Sequence, residues 1–339
     1  MKKAGFGVIG LGTFGRNHVA AYAEHPFAEL VAVCDVKEEL AKETADSYNV
    51  KYYVDYREML EDPRIEAVSV ATPDFLHKEP VIACSEKGKH ILCEKPLATT
   101  VDDAEKMVSA VEKAGVTMMV DFHNRWNPPF ALTKESVEKG ELGEPVHAYI
   151  RLNDTIYVPT KMLSWADKSS VLWFLGSHSV DLVRWIFNSD AVEVYATYGM
   201  KVLRTRGIET PDYYQYVIRF GNGAVVMFEN SWILPESLPT IVDFVAELTF
   251  AKGCVYIDPI QHGAFKKFTE DSGSYPNVIG GPMVIHGRRT GFVNESIAHF
   301  VDCIVQDREP VATGRDGLAV TKILCAVEES ARKRKLVVI

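Results

Sequence analysis

The segment Gly10-Leu11-Gly12-Thr13-Phe14-Gly15 constrains this chain more than any other. It follows an apolar run, Ala4–Gly10, and opens a helical pattern, Phe14–Ala23. A G-x-G-x-x-G is weak on its own, but between a strand and a helix it describes a tight turn that brings backbone N–H groups up to a phosphate. Gly10 permits the turn, Gly12 lets the backbone approach a pyrophosphate, and Gly15 lets the helix close onto the sheet. Asp35 ends the next apolar run, Leu30–Cys34, 20 residues beyond Gly15. A carboxylate there accepts hydrogen bonds from ribose hydroxyls and repels a 2′-phosphate, and Val36 beside it offers no cation. The expected cofactor is therefore NAD, with NADP disfavoured, although Lys37 stands two places on.

The alternation continues through the first third of the chain. Lys37–Tyr48, Lys78–Glu86 and Thr100–Ala114 read as helices; Ala67–Ala71, His90–Cys93 and Thr117–Val120 read as strands. Thr100 with Asp103 reads as a capping box. Strands apolar throughout and separated by helices imply an α/β Rossmann domain, a doubly wound parallel sheet covered on both faces. From about residue 122 the texture changes. Val146–Asn153, Val192–Met200, Tyr213–Phe220, Val225–Ser231, Val242–Thr249 and Cys254–Ile257 follow one another as strands, several with polar–apolar alternation. This predicts an α+β second domain with an open-faced, mostly antiparallel sheet, whose free face a second copy of the chain can cover. The expected domains are 1–121 for NAD and 122–339 for substrate and self-association. Two helical patterns, Glu295–Gln306 and Gly317–Arg332, are expected to pack back towards the first domain. Residues 269–291, rich in Gly and Pro, read as a long loop.

A formal net charge of −9 over 339 residues argues against nucleic acid and anionic membranes as partners. The basic run Arg332–Lys335 follows the last helical pattern, where it complements a helix C-terminus. No apolar stretch approaches the roughly 18 residues of a membrane span. The apolar run at the N-terminus is too short for a signal peptide. The six cysteines form no C-x-x-C pair and read as reduced, buried thiols of a cytoplasmic protein. The histidines show no metal-ligand spacing, so no metal is expected.

Two further segments follow strands directly: Ala71-Thr72-Pro73-Asp74 with His77, and Glu94-Lys95-Pro96. Together with the glycine motif they resemble the Gfo/Idh/MocA family, glucose–fructose oxidoreductase, inositol dehydrogenase and relatives, and the resemblance spans essentially the whole chain. It implies hydride transfer between a sugar, polyol or inositol-like alcohol carbon and a nicotinamide, in a homodimer or homotetramer assembled through the second sheet. It places Gly10, Gly12, Thr13, Phe14, Gly15, Asp35, Val36, Thr72, Pro73, Asp74, His77, Glu94, Lys95 and Arg125 along the cofactor. Asp74 departs from the commoner Asn. Lys95 takes the position of the family's lysine, an ammonium suited to stabilising alkoxide charge.

Trp173–Asp181 resembles the family's D-x-G-x-H-x-x-D segment, with His178 in the place of the general base and Asp181 on the same helical face. The first Asp of that segment is Phe174 here, which makes the pocket more apolar or moves polar work elsewhere. Candidates to supply it lie in the 155–170 loop, which includes Tyr157, Lys161, Trp165 and Asp167. Lys95, Arg125, Tyr157, Trp165 and His178 are the expected substrate contacts; Trp165 and Trp173 offer rings to stack on a sugar, with core packing the commoner fate of a Trp. Arg125 reads equally well as an interdomain salt bridge. Two other readings stay open: an enzyme that retains NAD and cleaves glycosides by transient oxidation, and a dinucleotide-sensing regulator without turnover.

Overall fold

The computed structural model describes residues 3–260, 265–271, 273–274, 277, 280–281 and 283–339. The strands, in chain order, are β1 (Ala4–Ile9), β2 (Ala28–Cys34), β3 (Lys51–Tyr53), β4 (Ala67–Val70), β5 (His90–Cys93), β6 (Met118–Val120), β7 (Pro145–Thr155), β8 (Ala191–Gly199), β9 (Tyr213–Phe220), β10 (Val225–Leu234), β11 (Val242–Phe250), β12 (Gly253–Ile257), β13 (Lys267–Phe268), β14 (Gly273–Ser274), β15 (Met283–Ile285), β16 (Arg288–Thr290) and β17 (Val337–Val338). The helices are α1 (Thr13–Glu24), α2 (Glu38–Tyr48), α3 (Tyr56–Met59), α4 (Lys78–Glu86), α5 (Val101–Ala114), α6 (Pro128–Glu138), α7 (Ser177–Phe187), α8 (Phe292–Gln306) and α9 (Gly314–Lys333). The contacts divide into two compact units, Met1–His123 with Pro282–Thr321, and Asn124–Gly281 with Lys322–Ile339.

The first unit is built on a parallel sheet in the order β3-β2-β1-β4-β5-β6. The winding reverses between β1 and β4, and ligands of such sheets bind beyond the carboxyl ends of the strands at that switch. Every residue of β1 and β4 is buried, as strands covered on both faces require. Phe6 on β1 stacks on Tyr22 of α1 at 4.4 Å and meets Phe300 of α8 edge-on at 6.2 Å, so α8 is part of this unit's cover. The Thr100 hydroxyl caps α5 by accepting the Asp103 N–H at 3.1 Å. The expected capping box is only half closed, because the Asp103 carboxylate takes Lys78 Nζ at 2.7 Å. β3 and α3 are too short to stand out by periodicity.

The second unit carries a mixed sheet in the order β12-β11-β7-β10-β9-β8-β17. Its pairings are antiparallel except β7 with β10, which run parallel. Ala148, Ile150 and Leu152 of β7 and Tyr216, Ile218 and Phe220 of β9 face inward and are buried. α7 and a π-helical turn, Leu172–Gly176, pack against β7. The opposite face carries a row in register across the sheet: Tyr195, Val217, Met227, Tyr149, Glu247 and Tyr256. Tyr195, Met227 and Tyr256 are 50%, 56% and 75% exposed.

Two expectations need correction. The 155–170 segment is not an irregular loop: it contains a π-helical turn, Val158–Met162, and a 3₁₀ turn, Ala166–Lys168, with Val158, Pro159 and Ala166 buried. Cys254 is exposed, because the strand alternation turns it outward, and Cys325 is half-buried. The others are buried, and burial pushes the Cys34 thiol up to about 12. Within the expected 269–291 loop, β15 and β16 form a short hairpin, while 272, 275–276, 278–279 and 282 lie outside the described residues.

Candidate active site

The glycine motif has the geometry its sequence calls for. Gly10 adopts φ +88°, which side-chain-bearing residues resist. A Cβ on Gly15 would stand 1.8 Å from the Gly10 carbonyl oxygen, so only glycine lets α1 lie this close to the turn. A Cβ on Gly12 would meet nothing within 4 Å, leaving an open cradle before the helix. The N-cap residue Gly12 has no side chain to cap α1 and no acid stands in the first turn, which leaves the positive dipole end suited to an anion. Asp35 sits at the rim. Its Oδ2 accepts the Leu11 N–H at 2.8 Å and its Oδ1 the Lys37 N–H at 2.9 Å. Each oxygen keeps a lone pair for a ribose hydroxyl. Val36 beside it is 88% exposed, an apolar surface suited to a flat ring. At the end of β4 the Thr72 hydroxyl is buried with no hydrogen-bond partner among the described residues. An orphaned buried hydroxyl at the switch point is a place for a ligand to complete. These features fit a dinucleotide.

The neighbouring loops divide the expected cofactor residues into two groups. Lys95 is 6% exposed and its ammonium lies 5.8 Å from the centre of the Phe14 ring, which places it at the glycine motif. Pro73 precedes a 3₁₀ turn, Asp74–Leu76, in which Asp74 Oδ1 accepts the Phe75 N–H at 2.8 Å. His77 and Glu94, in contrast, have their polar atoms engaged inside the protein. The His77 ring spans the carbonyls of Thr72 and Pro96, each at 2.9 Å, and so ties one loop to the other. Glu94 bonds to His18 through Oε1 at 3.0 Å and to the Lys95 N–H through Oε2 at 3.2 Å.

In the second unit, His178 lies in the first turn of α7 and is 7% exposed. Arg125 and Asp181, expected at cofactor and catalysis, form a buried pair: Nε to Oδ2 at 2.9 Å and Nη2 to Oδ1 at 2.5 Å. The guanidinium also lies 5.6 Å from the centre of the Trp185 ring. Trp173 is buried and its indole N–H donates to Glu328 at 2.9 Å, so this ring serves packing rather than sugar stacking. Burial drives the Glu328 carboxyl above its ordinary range, with the Trp173 bond opposing. Phe174 meets Trp165 edge-on at 6.5 Å, an aromatic contact at the position where the family segment has an Asp. Tyr157 precedes the first π-turn and is 36% exposed, with Lys161 near its ring at 5.9 Å and paired to Glu236 at 2.7 Å.

Residues 4–122 match the oxidoreductase family with an NAD-binding Rossmann fold named for Gfo, Idh and MocA, and residues 130–255 match the C-terminal domain of the same family. An uncharacterized oxidoreductase, YrbE, of Bacillus subtilis is 30% identical over 96% of this chain and 93% of its own. The chain belongs to the Gfo/Idh/MocA oxidoreductase family. The myo-inositol 2-dehydrogenase of Thermotoga maritima is 27% identical, covering 98% of this chain and 97% of that one. The fold is also that of the Lactobacillus casei scyllo-inositol dehydrogenase solved with NAD(H) and scyllo-inositol, at 19% identity, 99% coverage of each chain and a TM-score of 0.83.

Two features of this Gfo/Idh/MocA oxidoreductase escape its sequence. Asp154 continues the inward row of Ala148, Ile150 and Leu152 on β7 and is 1% exposed, on the face that packs against α7 and the π-turn. An acid at an inward strand position was the available signal. The second is a buried set, His18, Glu94 and Asp121, whose ligand-type atoms lie within 4.8 Å of one another. Their separations of 27 residues and more in sequence hide it from motif spacing. No helix among the described residues is long and apolar enough to cross a membrane.

Proposed function

We propose that this protein is an NAD-dependent dehydrogenase of a secondary alcohol in an inositol, polyol or sugar. The observation that carries the reading is Lys95, a buried ammonium beside Phe14 of the phosphate-binding turn, on the carboxyl edge of the sheet next to the switch point. The named activities of the inositol dehydrogenase relatives support the substrate class.

The cofactor is held by the Gly10–Gly15 turn and the α1 N-terminus at its phosphates, by Asp35 and Val36 at the adenosine end, and by the Thr72 hydroxyl. Bound NAD supplies the hydride acceptor. Lys95 donates a hydrogen bond to the reacting oxygen and stabilises the charge that develops as its proton leaves. His178 receives that proton, a task suited to an imidazole because its ordinary titration range lies near neutral pH. Asp154 supplies the buried carboxylate that Phe174 removes, and Trp165 with Phe174 forms an apolar wall. Arg125 and Asp181 hold the segment after Asn124 against α7 and so fix the helix that carries His178. The negative charge of Asp35 sets the preference for NAD over NADP. The exposed sheet row through Tyr195, Met227 and Tyr256 is covered by a second copy of the chain.

The test is a screen of inositols, polyols, aldoses and keto-sugars for change in NADH absorbance, repeated with Lys95→Ala and His178→Ala. Each variant is expected to bind NADH and to lose turnover by on the order of 100-fold or more. Full turnover by Lys95→Ala removes the lysine from the chemistry; an inert wild type across the panel overturns the substrate class.

A further inference from the structure

Beneath the Lys95 loop runs a line of polar side chains closed to solvent. His18, in the second turn of α1, is 0% exposed. Its Nδ1 lies 2.9 Å from the Ser69 hydroxyl on β4, which in turn is 2.5 Å from the Tyr22 hydroxyl. Its Nε2 lies 3.0 Å from Glu94 Oε1, and Glu94 Oε2 accepts the N–H of Lys95 at 3.2 Å. Asp121, at the end of β6, comes within 3.7 Å of the same His18 nitrogen and is bonded through its other oxygen to Ser296 of α8.

Burying two carboxylates and an imidazole is unfavourable before their mutual contacts are counted, and an apolar filling of the same volume is often at least as stable. A network of this kind earns its place by specifying one geometry. Here its two ends are telling. One end is α1, whose N-terminus faces the phosphate cradle. The other is the main chain of Lys95. Both Glu94 oxygens are engaged in between, so its carboxylate points into the protein rather than towards a ligand. Burial opposes the Asp121 charge, but His123, His18 and Ser296 outweigh it and hold its carboxyl below the usual range.

We propose that His18 and Glu94 are positioning residues that tie the Lys95 main chain to α1, so that the helix receiving the dinucleotide phosphates also sets where the Lys95 ammonium stands. The consequence for catalysis rests on the role proposed for Lys95 above; the positioning itself does not.

The test compares the full-length wild type with His18→Ala, Glu94→Ala and Glu94→Gln. NADH affinity is read by fluorescence. The rate at which acetic anhydride modifies each lysine is read by peptide mass spectrometry, with Lys78 and Lys89 of the same unit as internal references. The alanine variants are expected to bind NADH within about threefold of wild type while Lys95 acetylation rises roughly tenfold against the references, as local opening by little more than 1 kcal/mol produces. Glu94→Gln, whose amide still joins the Lys95 N–H to the His18 ring, is expected to restore wild-type labelling. Unchanged Lys95 labelling overturns the proposal. So does an NADH affinity that falls in step with it, which makes Glu94 a cofactor ligand, and so does an equal rise at all three lysines. Should the alanine variants fail to fold, Glu94→Asp replaces them: one methylene shorter, it withdraws from both partners and is expected to raise Lys95 labelling selectively, and the same outcomes decide. Lys95→Ala turnover is read separately. Full activity there defeats the proposed chemistry and leaves the positioning result standing.

Discussion

Arg125 and Asp181 meet through two hydrogen bonds with their side chains only 2% and 1% exposed. The pair joins the residue just after Asn124 to the first turns of α7, one turn below His178. A fork-to-fork guanidinium–carboxylate contact fixes both distance and orientation. Removing one partner takes away an opposing charge from a dry site. Asp181→Asn and Arg125→Leu are each expected to cost about 3–5 kcal/mol in urea unfolding, and the apolar double variant Arg125→Met with Asp181→Leu distinctly less. Single variants as stable as wild type would mean that the pair does not hold this region together.

Asp35 and Val36 set the expected cofactor preference. Asp35→Ser with Val36→Arg removes the charge that repels a 2′-phosphate and adds one that attracts it. The ratio of NADH to NADPH dissociation constants is expected to rise by on the order of 100-fold, as removing one charge repulsion and adding one charge-assisted hydrogen bond predicts. An unchanged ratio places the ribose elsewhere.

Asp62 gives the acid side of stability. Its carboxylate takes three hydrogen bonds from Arg64 and one from Lys51, and the Arg64 contacts hold its carboxyl well below the usual range despite its burial. A depressed folded-state value stabilises the fold above the ordinary carboxylate range, and that stabilisation drains away as pH falls towards the folded value. The stability difference between wild type and Asp62→Asn is therefore expected to be full at neutral pH and to shrink steadily below about pH 4. Urea midpoints across an acid series check it, and a gap independent of pH would contradict it.

Met227 lies mid-row on the open sheet face at 56% exposure, with Tyr149 and Val217 as its cross-strand neighbours. Met227→Arg places a charge where a second copy is expected to dock, at a cost no buried partner offsets. Light scattering is expected to show wild type as a dimer or larger and the variant shifted towards monomer. A monomeric wild type would leave this face without the proposed cover.

Much of the first unit is legible in the chain itself, because its determinants are local. Gly10 is required by its own backbone angle and Gly15 by the Gly10 carbonyl five residues before it, and Asp35 is placed by the strand that delivers it. Apolar runs separated by helical periods leave few alternatives to a parallel sheet. The second sheet is legible as strands but not as an order, since nothing in the sequence of β7 or β10 announces that the two pair parallel. Patterning fixes which face of a strand is wet; it does not choose the neighbour.

The candidate site divides along the same line. Which residues are proposed to carry chemistry, Lys95 and His178 above all, follows from residue type and motif. What their neighbours do was decided by folding: His77 and Glu94 turned inward, Arg125 closed on Asp181, and Asp154 entered the buried layer in a chain that lacks an acid at 174. Hydrogen bonds between residues tens of positions apart depend on where the packed elements bring them. Sequence supplied the groups, and tertiary packing set which of them spend their polar atoms on each other and which remain for a ligand.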